Sequence, residues 1–471
     1  MLEGLEVGVV KSTEVLEGNY RLEAKFYTSK SGLTNQYFLG EEILESANYN
    51  SIYGLNSNGI GCPVLRMNEF DMLFTGTPKQ HSDKFSPVDI RQHSLKKDDI
   101  LICRTNGNPN LIGKSALVAK NYDFVYESHL FKIRPKQVLI NSSTLVTYLN
   151  TQYGRAEINK LSMQGNQANF SIAKFKELRI PKFEIGFCNK VKDIIEACFL
   201  SLEKSKILYT QAETLLLETL GLNNFEPSAE PVNVKSFKDS FLATGRLDAE
   251  YYQKKYEEVI NHIIEQSHDR LSNLVSIKKS IEPGSDVYSN EGLPFLRVSD
   301  FNKFGLTEPD KKLSTSFCKE NEALIKKLKP KKETIVFSKD GSVGTAYMLR
   351  KDEDLITSGA ILHLMVKDKK RIIPEYLTLA LNSKLVQMQA ERDAGGSIIL
   401  HWRVGEIENV IVPIIDYIKQ EEIAALVEES FFLKKQSEQL LETAKRAVEL
   451  AIEQDEKAAM RYIAEAQRAS I

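Results

Sequence analysis

The 471-residue sequence lacks most of what would mark a catalyst, a secreted protein or a membrane protein. Its five cysteines, Cys62, Cys103, Cys188, Cys198 and Cys318, form no C-x-x-C pair. An odd, scattered set excludes a disulfide framework and points to reduced thiols in a cytoplasm. Cys188 and Cys198 fall in a helical pattern and read as packing residues. Seven histidines are dispersed, none at metal spacing from a cysteine or another histidine. There is no G-x-S-x-G elbow for a serine nucleophile and no carboxylate cluster for a metal-dependent nuclease. No uninterrupted apolar run can span a bilayer. The opening MLEGLEVGVV has neither the basic start nor the apolar run of a signal peptide. An excess of charge is also missing. With 62 Lys and Arg against 64 Asp and Glu, the net charge is −2, so any basic surface must be local. The composition, 42% hydrophobic and 27% charged, fits a soluble globular chain of two or three domains.

What is present begins with CRTNGNPNLIGKSALV at 103–118. Gly107, Gly113, Lys114 and Ser115 approximate a phosphate-binding P-loop. Five residues separate the first Gly from the Gly-Lys-Ser, where a P-loop has four. A P-loop also opens a helix, whereas SALVAKNYDFVY reads as strand. NGNPNL lacks the second Pro and the aromatic residue of the Asn-Pro-Pro-aromatic motif of adenine methyltransferases. Asp98 and Asp99, before the strand, read as solvated turn residues.

The stretch has a partner. DDILICRTNGNPNLIGKSAL (98–117) is matched by KETIVFSKDGSVGTAYML (332–349), each a strand, a loop with two glycines and a strand. NYRLEAKFY (19–27) is matched by TGRLDAEYY (244–252). From about residue 145 a constant offset of 232 runs for roughly seventy residues without a gap. It pairs Asn150 with Asn382, Phe170 with Trp402 and Pro181 with Pro413. Self-similarity on this scale means two copies of one domain, mixed α/β. Short strands are expected at 100–103, 115–118, 335–337 and 345–349, and helices near 143–160 and 374–392.

Each copy ends in a long helical pattern. In the first, Val191, Ile195, Cys198, Leu202, Ser205, Tyr209, Ala212 and Leu216 step by four and three, until Gly221 and Pro227 stop it. In the second, Ile423, Leu426, Ser430, Leu433, Ser437, Leu440, Ala444 and Ala447 do the same, with helix expected to about residue 468. An amphipathic helix packed on its own domain would also give this pattern. Length and likeness favour the two helices pairing with each other as a coiled coil.

Together these features resemble one family, the specificity (S) subunit of type I restriction-modification systems. The likeness covers nearly the whole chain. It rests on Arg21–Ala24 and Arg246–Ala249, on the strand–loop–strand segments, on FSIAKFKELRIP and WRVGEIENVIVP, and on SLEKSKILYTQAETLLLETLGL, in an order that recurs twice. The resemblance implies an α/β two-copy repeat: two target-recognition domains separated by two long helices forming an antiparallel coiled coil. On this basis the domains are 1–186 and 223–417, and the helices 187–222 and 418–471. It implies a non-catalytic subunit that reads a bipartite site in double-stranded DNA. Partners are two methyltransferase (M) subunits, carrying S-adenosylmethionine, and restriction (R) subunits working with ATP and Mg. No cofactor is expected in this chain.

The residues suit that role. Asn and Gln bond adenine bidentately, and Arg and Lys bond guanine. The first copy offers Arg104, Asn106, Asn108, Asn110 and Lys114, then Gln164, Asn166, Gln167 and Asn169. The second offers Lys339, Asp340 and Ser342, then Ser397, His401, Trp402 and Arg403. Lys326, Lys327, Lys329, Lys331 and Lys332 are candidates for phosphate contact. Asn and Gly at these places equally suit turns, Phe170 and Trp402 equally suit a core, and KDKKR at 367–371 reads as a solvated turn. A rival reading is a scaffold of two peptide-binding domains joined by a coiled coil.

Overall fold

Apolar runs such as Ile100–Cys103 and Ile335–Ser338 are buried at every position, as the central strand of a sheet covered on both faces requires. The computed structural model describes residues 36–50, 54–162, 169–230, 232–396 and 399–469, with Ser12 besides. It divides into two units, Met1–Glu203 with Leu433–Ile471, and Lys204–Phe432.

In unit 1 a six-stranded sheet runs in the order Leu44–Tyr49, Leu130–Pro135, Ile100–Cys103, Ser115–Leu117, Phe74–Thr75, Phe70–Asp71. In unit 2 a four-stranded sheet runs Val275–Lys279, Ile361–Val366, Ile335–Ser338, Ala346–Met348. The four strands common to both have the same order and the same antiparallel pairing. A short parallel pair recurs beside each sheet, Val64↔Val125 in unit 1 and Phe295↔Ile356 in unit 2. Both copies then continue helix, helix, short helix, strand, long helix.

The expected single helices near 143–160 and 374–392 are each two: Ser142–Leu149 and Gln152–Leu161, Pro374–Asn382 and Lys384–Asp393. The break in unit 1 is capped by Thr151, whose side chain accepts the Gly154 N–H. At the ends of the first helices stand Asn150 and Asn382, paired in the sequence by the offset. Each clamps the neighbouring strand: Asn150 Nδ2 donates to the Ser115 carbonyl (3.1 Å) and Asn382 Nδ2 to the Ala346 carbonyl (2.8 Å). The Tyr148 hydroxyl donates to the Arg179 carbonyl (2.7 Å), and the Tyr376 hydroxyl to the Pro413 carbonyl (2.8 Å), tying the same helices to the last strand.

The long helices span Ile185–Thr219 and Tyr417–Glu453. The second stops short of residue 468. Asp455 interrupts it and caps a separate helix, Glu456–Ala469, by accepting the Ala458 N–H (2.7 Å). All eight seam positions read in the first helix are buried. In the second the seam is corrected at several positions. Ile423, Ser430, Ser437, Ala444 and Ala447 are buried, but Val427 and Leu441 replace the half-buried Leu426 and Leu440, and Leu433 is half-buried. Apolar residues stand side by side at 426–427 and 440–441, so periodicity alone does not choose between them. Within unit 1 the Cys198 thiol donates to the Ser437 carbonyl (3.1 Å). Within unit 2 the Ser205 and Ser430 hydroxyls meet at 3.2 Å.

Asp99 is not a solvated turn residue. It is 3% exposed and holds Arg134 (2.7 Å) and Lys132 (3.5 Å). Of the five cysteines four are buried and Cys318 is half-buried. Burial, helped by the Asp71 charge, pushes the Cys198 thiol up to about 12. The helical cysteines are thus packing groups, not nucleophiles.

Candidate nucleic-acid interface

Where the strand Ile100–Cys103 ends, its backbone is held from two sides. The Arg104 N–H donates to the His129 carbonyl (2.7 Å), and the Phe170 N–H donates to the Arg104 carbonyl (2.9 Å). A bridge between Thr105 and Asn169 extends the contact. The loop 104–114 is thereby joined to the segment at 169–170, some sixty residues later. Unit 2 repeats the arrangement. The Lys339 N–H donates to the Ala360 carbonyl (2.9 Å), the Trp402 N–H to the Lys339 carbonyl (2.7 Å), and Asp340 bridges His401. Among the described residues, Asn169 is thus brought to the loop that starts at Arg104, and His401 to the loop that starts at Lys339.

The aromatic residue after each bridge is an anchor. Phe170 is 0% and Trp402 1% exposed. Phe170 packs on Phe131 (6.1 Å between centroids) and Trp402 on Phe337 (5.8 Å). Both are core residues, and their placement excludes stacking on a base.

Around these anchors the candidate side chains differ in what they have free. Arg104 is half-buried, its guanidinium 4.9 Å over the Tyr49 ring. Its Nε is buried without a hydrogen-bond partner among the described residues. Asn106 Oδ1 accepts the Asn108 N–H (2.8 Å), and Asn108 Oδ1 accepts the Asn110 N–H (3.0 Å). These are turn-forming bonds, although Asn108 and Asn110 are exposed. Asn169 is half-buried, with its Oδ1 unpartnered among the described residues. Lys114 is half-buried, and burial lowers its pKa, with the Arg155 charge adding to the effect. In unit 2 the Asp340 carboxylate lies between Lys339, which pairs with it, and His401 Nδ1 (2.8 Å). Ser342, His401 and Arg403 are exposed. Gln164, Asn166, Gln167 and Ser397 lie outside the described residues, as does the segment Arg21–Ala24.

Gly113 and Gly344 turn the chain into the next strand at φ +74° and +83°, the left-handed region that glycine tolerates. Each glycine leads into a strand rather than a helix, so the P-loop-like Gly113-Lys114-Ser115 cannot aim a helix N-terminus at a phosphate. Among the five lysines at 326–332, Lys329 pairs with Asp354, and Lys331 with Asp352 (3.1 Å). Lys326, Lys327 and Lys332 are exposed.

Arg246–Ala249, which in the sequence is a mark of the resemblance, also has a structural place. In the structure its residues Arg246, Leu247 and Asp248 line a polar cleft of about 550 Å³ shared with His401 and Arg403. Arg246 is bidentate to Asp248 (2.9 and 2.7 Å) and also donates to the Asp393 carbonyl (3.0 Å), where the loop 394–403 begins. Among the described residues no group of His, Cys, Asp and Glu could hold a metal. None of the described helices is long and apolar enough to cross a membrane.

Residues 270–443 match the family described as type I restriction modification DNA specificity domain. The matched segment contains Lys339, Asp340, Ser342, His401 and Arg403, and more than half of the helix Tyr417–Glu453. The chain is also similar to the type I restriction-modification S subunit from M. genitalium, at 13% identity and TM-score 0.41, over 89% of this chain and 96% of that one. The HsdS subunit from Thermoanaerobacter tengcongensis matches at 13% identity and TM-score 0.28, over 89% and 97%. A chain described in a study of complex assembly in the type I R-M system matches at 14% and TM-score 0.27, over 92% and 98%. No curated protein matches the chain.

Proposed function

We propose that this chain is the DNA-recognition subunit of a type I restriction-modification complex and has no catalytic activity of its own. Each unit reads one half of a bipartite site in double-stranded DNA, through the loops 104–114 and 339–345 and the segments bridged to them. The two long helices pair as an antiparallel coiled coil and set the gap between half-sites. The seam contacts support this. Cys198 meets Ser437 and Ser205 meets Ser430, so a step forward along one helix matches a step back along the other. Two M subunits bring S-adenosylmethionine, and R subunits bring ATP and Mg.

The observation that carries the reading is the match of residues 270–443 to a DNA specificity domain. The internal repeat extends it to unit 1, because the same loop is joined to the same partner segment in both. Polar loops on a rigid sheet suit base reading, since specificity needs fixed donors and acceptors at groove edges. The test is a gel shift of the chain with its methyltransferase on a random-sequence duplex library. Enrichment of a two-part motif with an unread gap is expected. Binding with no motif, or selective capture of peptides instead, would refute the reading.

A further inference from the structure

The two units place different chemistry at one equivalent position. The offset of 232 pairs Arg155 with Gln387. Both lie on the second helix after the sheet and face the glycine that ends the reading loop. In unit 2 the position is closed. Gln387 Nε2 donates to the Gly344 carbonyl (2.7 Å) and to the Leu381 carbonyl (2.9 Å). In unit 1 its bonds are incomplete. Arg155 Nη2 donates to the Asn110 carbonyl (2.9 Å), which steadies the loop. Arg155 Nη1 is buried and has no hydrogen-bond partner among the described residues. It lies so near Gly113 that a Cβ there would fall 3.2 Å from it.

A second cation adjoins it. Lys114, half-buried, directly follows the glycine that Arg155 faces, whereas the neutral Thr345 follows Gly344; burial and the Arg155 charge both lower the Lys114 pKa. Two half-buried cations that repel each other, one with an orphaned N–H, are costly in the free protein. An anion of tetrahedral shape would supply the missing acceptor and offset both charges.

We propose that Arg155 and Lys114 form a phosphodiester-binding site beside the reading loop of unit 1, with no equivalent in unit 2. The proposal rests on the DNA-reading function and adds to it. Unit 1 is anchored to the backbone at a fixed point next to its reading loop, whereas unit 2 relies on other contacts. Phosphate contacts fix register and carry no sequence information themselves.

The test uses the full chain in complex with its methyltransferase, on a duplex bearing the recognised motif. Arg155→Gln and Lys114→Thr install the unit 2 residues. Because both cations hold one phosphate, each should lower the slope of log Kobs against log salt by up to about 0.9, and the double variant by about 0.9 in all. For Arg155→Gln the methylated motif should stay unchanged, and Arg155→Lys should keep most of the slope. If wild type binds DNA but Arg155→Gln and Lys114→Thr leave the slope unchanged, the site does not exist. If the motif instead becomes degenerate at one base, these are base readers and the phosphate assignment is wrong. If wild type binds no DNA, the underlying function falls first.

Discussion

Gly107 and Gly113 stand in one loop yet should respond oppositely to alanine. Gly107 has ordinary φ and nothing within 4 Å of a built Cβ. Gly113 sits at φ +74°, where a Cβ would lie 2.4 Å from Ile158 Cγ2 and 3.1 Å from its Cδ1. Left-handed backbone costs a non-glycine residue about 1–2 kcal/mol. Forcing a methyl group against a buried isoleucine adds about 1–3 kcal/mol. Gly113→Ala should therefore cost about 2–5 kcal/mol, and Gly107→Ala about zero or a slight gain from lost chain entropy. For a unit of this size the first corresponds to a drop of about 4–20 °C in the unfolding midpoint of unit 1. Unit 2 provides the intermediate cases. Gly344, at φ +83°, meets the far end of a flexible Gln387 side chain at 2.9 Å, and Gly341, at φ +71°, meets nothing. Gly344→Ala should fall between Gly113→Ala and Gly341→Ala, the last costing about 1 kcal/mol from backbone alone. Scanning calorimetry gives the order, and methylome sequencing gives the consequence, since only the half-site read by the altered unit should degrade. Equal stability of the Gly107→Ala and Gly113→Ala chains would refute the packing argument. Loss of both half-sites from Gly113→Ala in a folded chain would refute the assignment of one reader to each unit.

Arg104→Ala should relax one position of one half-site by about 1–3 kcal/mol of discrimination, read as degeneracy in the methylated motif, and leave the other half intact. Asp99→Asn leaves Lys132 and the part-exposed Arg134 without their countercharge and should cost about 3 kcal/mol in chemical denaturation. Adding Lys132→Met should recover part of that loss, and a double variant no better than the single would show that the charge was not the cause. Burial, reinforced by Lys278, pushes the His363 imidazole down to about 4, whereas in the unfolded chain it titrates near 6.5. Between those values the unfolded state holds the extra proton, so unit 2 should lose stability as pH falls from about 6.5 toward 4, by up to about 3 kcal/mol. His363→Gln should flatten that part of the profile, and an unchanged slope would place the titration elsewhere.

The sheet and its repetition were legible because they rest on local chemistry. ILIC and IVFS are apolar at every position but the last serine, and Asn150 and Asn382 answer each other across a gapless offset that the structure turns into the same clamp. The convergence of the loop at 104 with the segment at 169 was half legible. Both were polar and both were singled out, but nothing in the spacing shows that Phe170 N–H bonds to the Arg104 carbonyl. The facing of the second long helix was not legible, because Leu426 and Val427 are equally apolar and only the neighbour decides. Asp99 misled for a related reason: a carboxylate before a strand looks solvated until Lys132 and Arg134 arrive from the adjacent strand. Arg155 is the sharpest case. The offset sets it opposite Gln387, and a change from amide to guanidinium on a helix face usually means little. Whether it matters depends on how many of its donors the fold satisfies. Gln387 is satisfied by two carbonyls, and the larger Arg155 group reaches one and leaves a buried N–H over. Divergence between the copies thus becomes functional where the shared backbone can complete one side chain's bonds but not the other's.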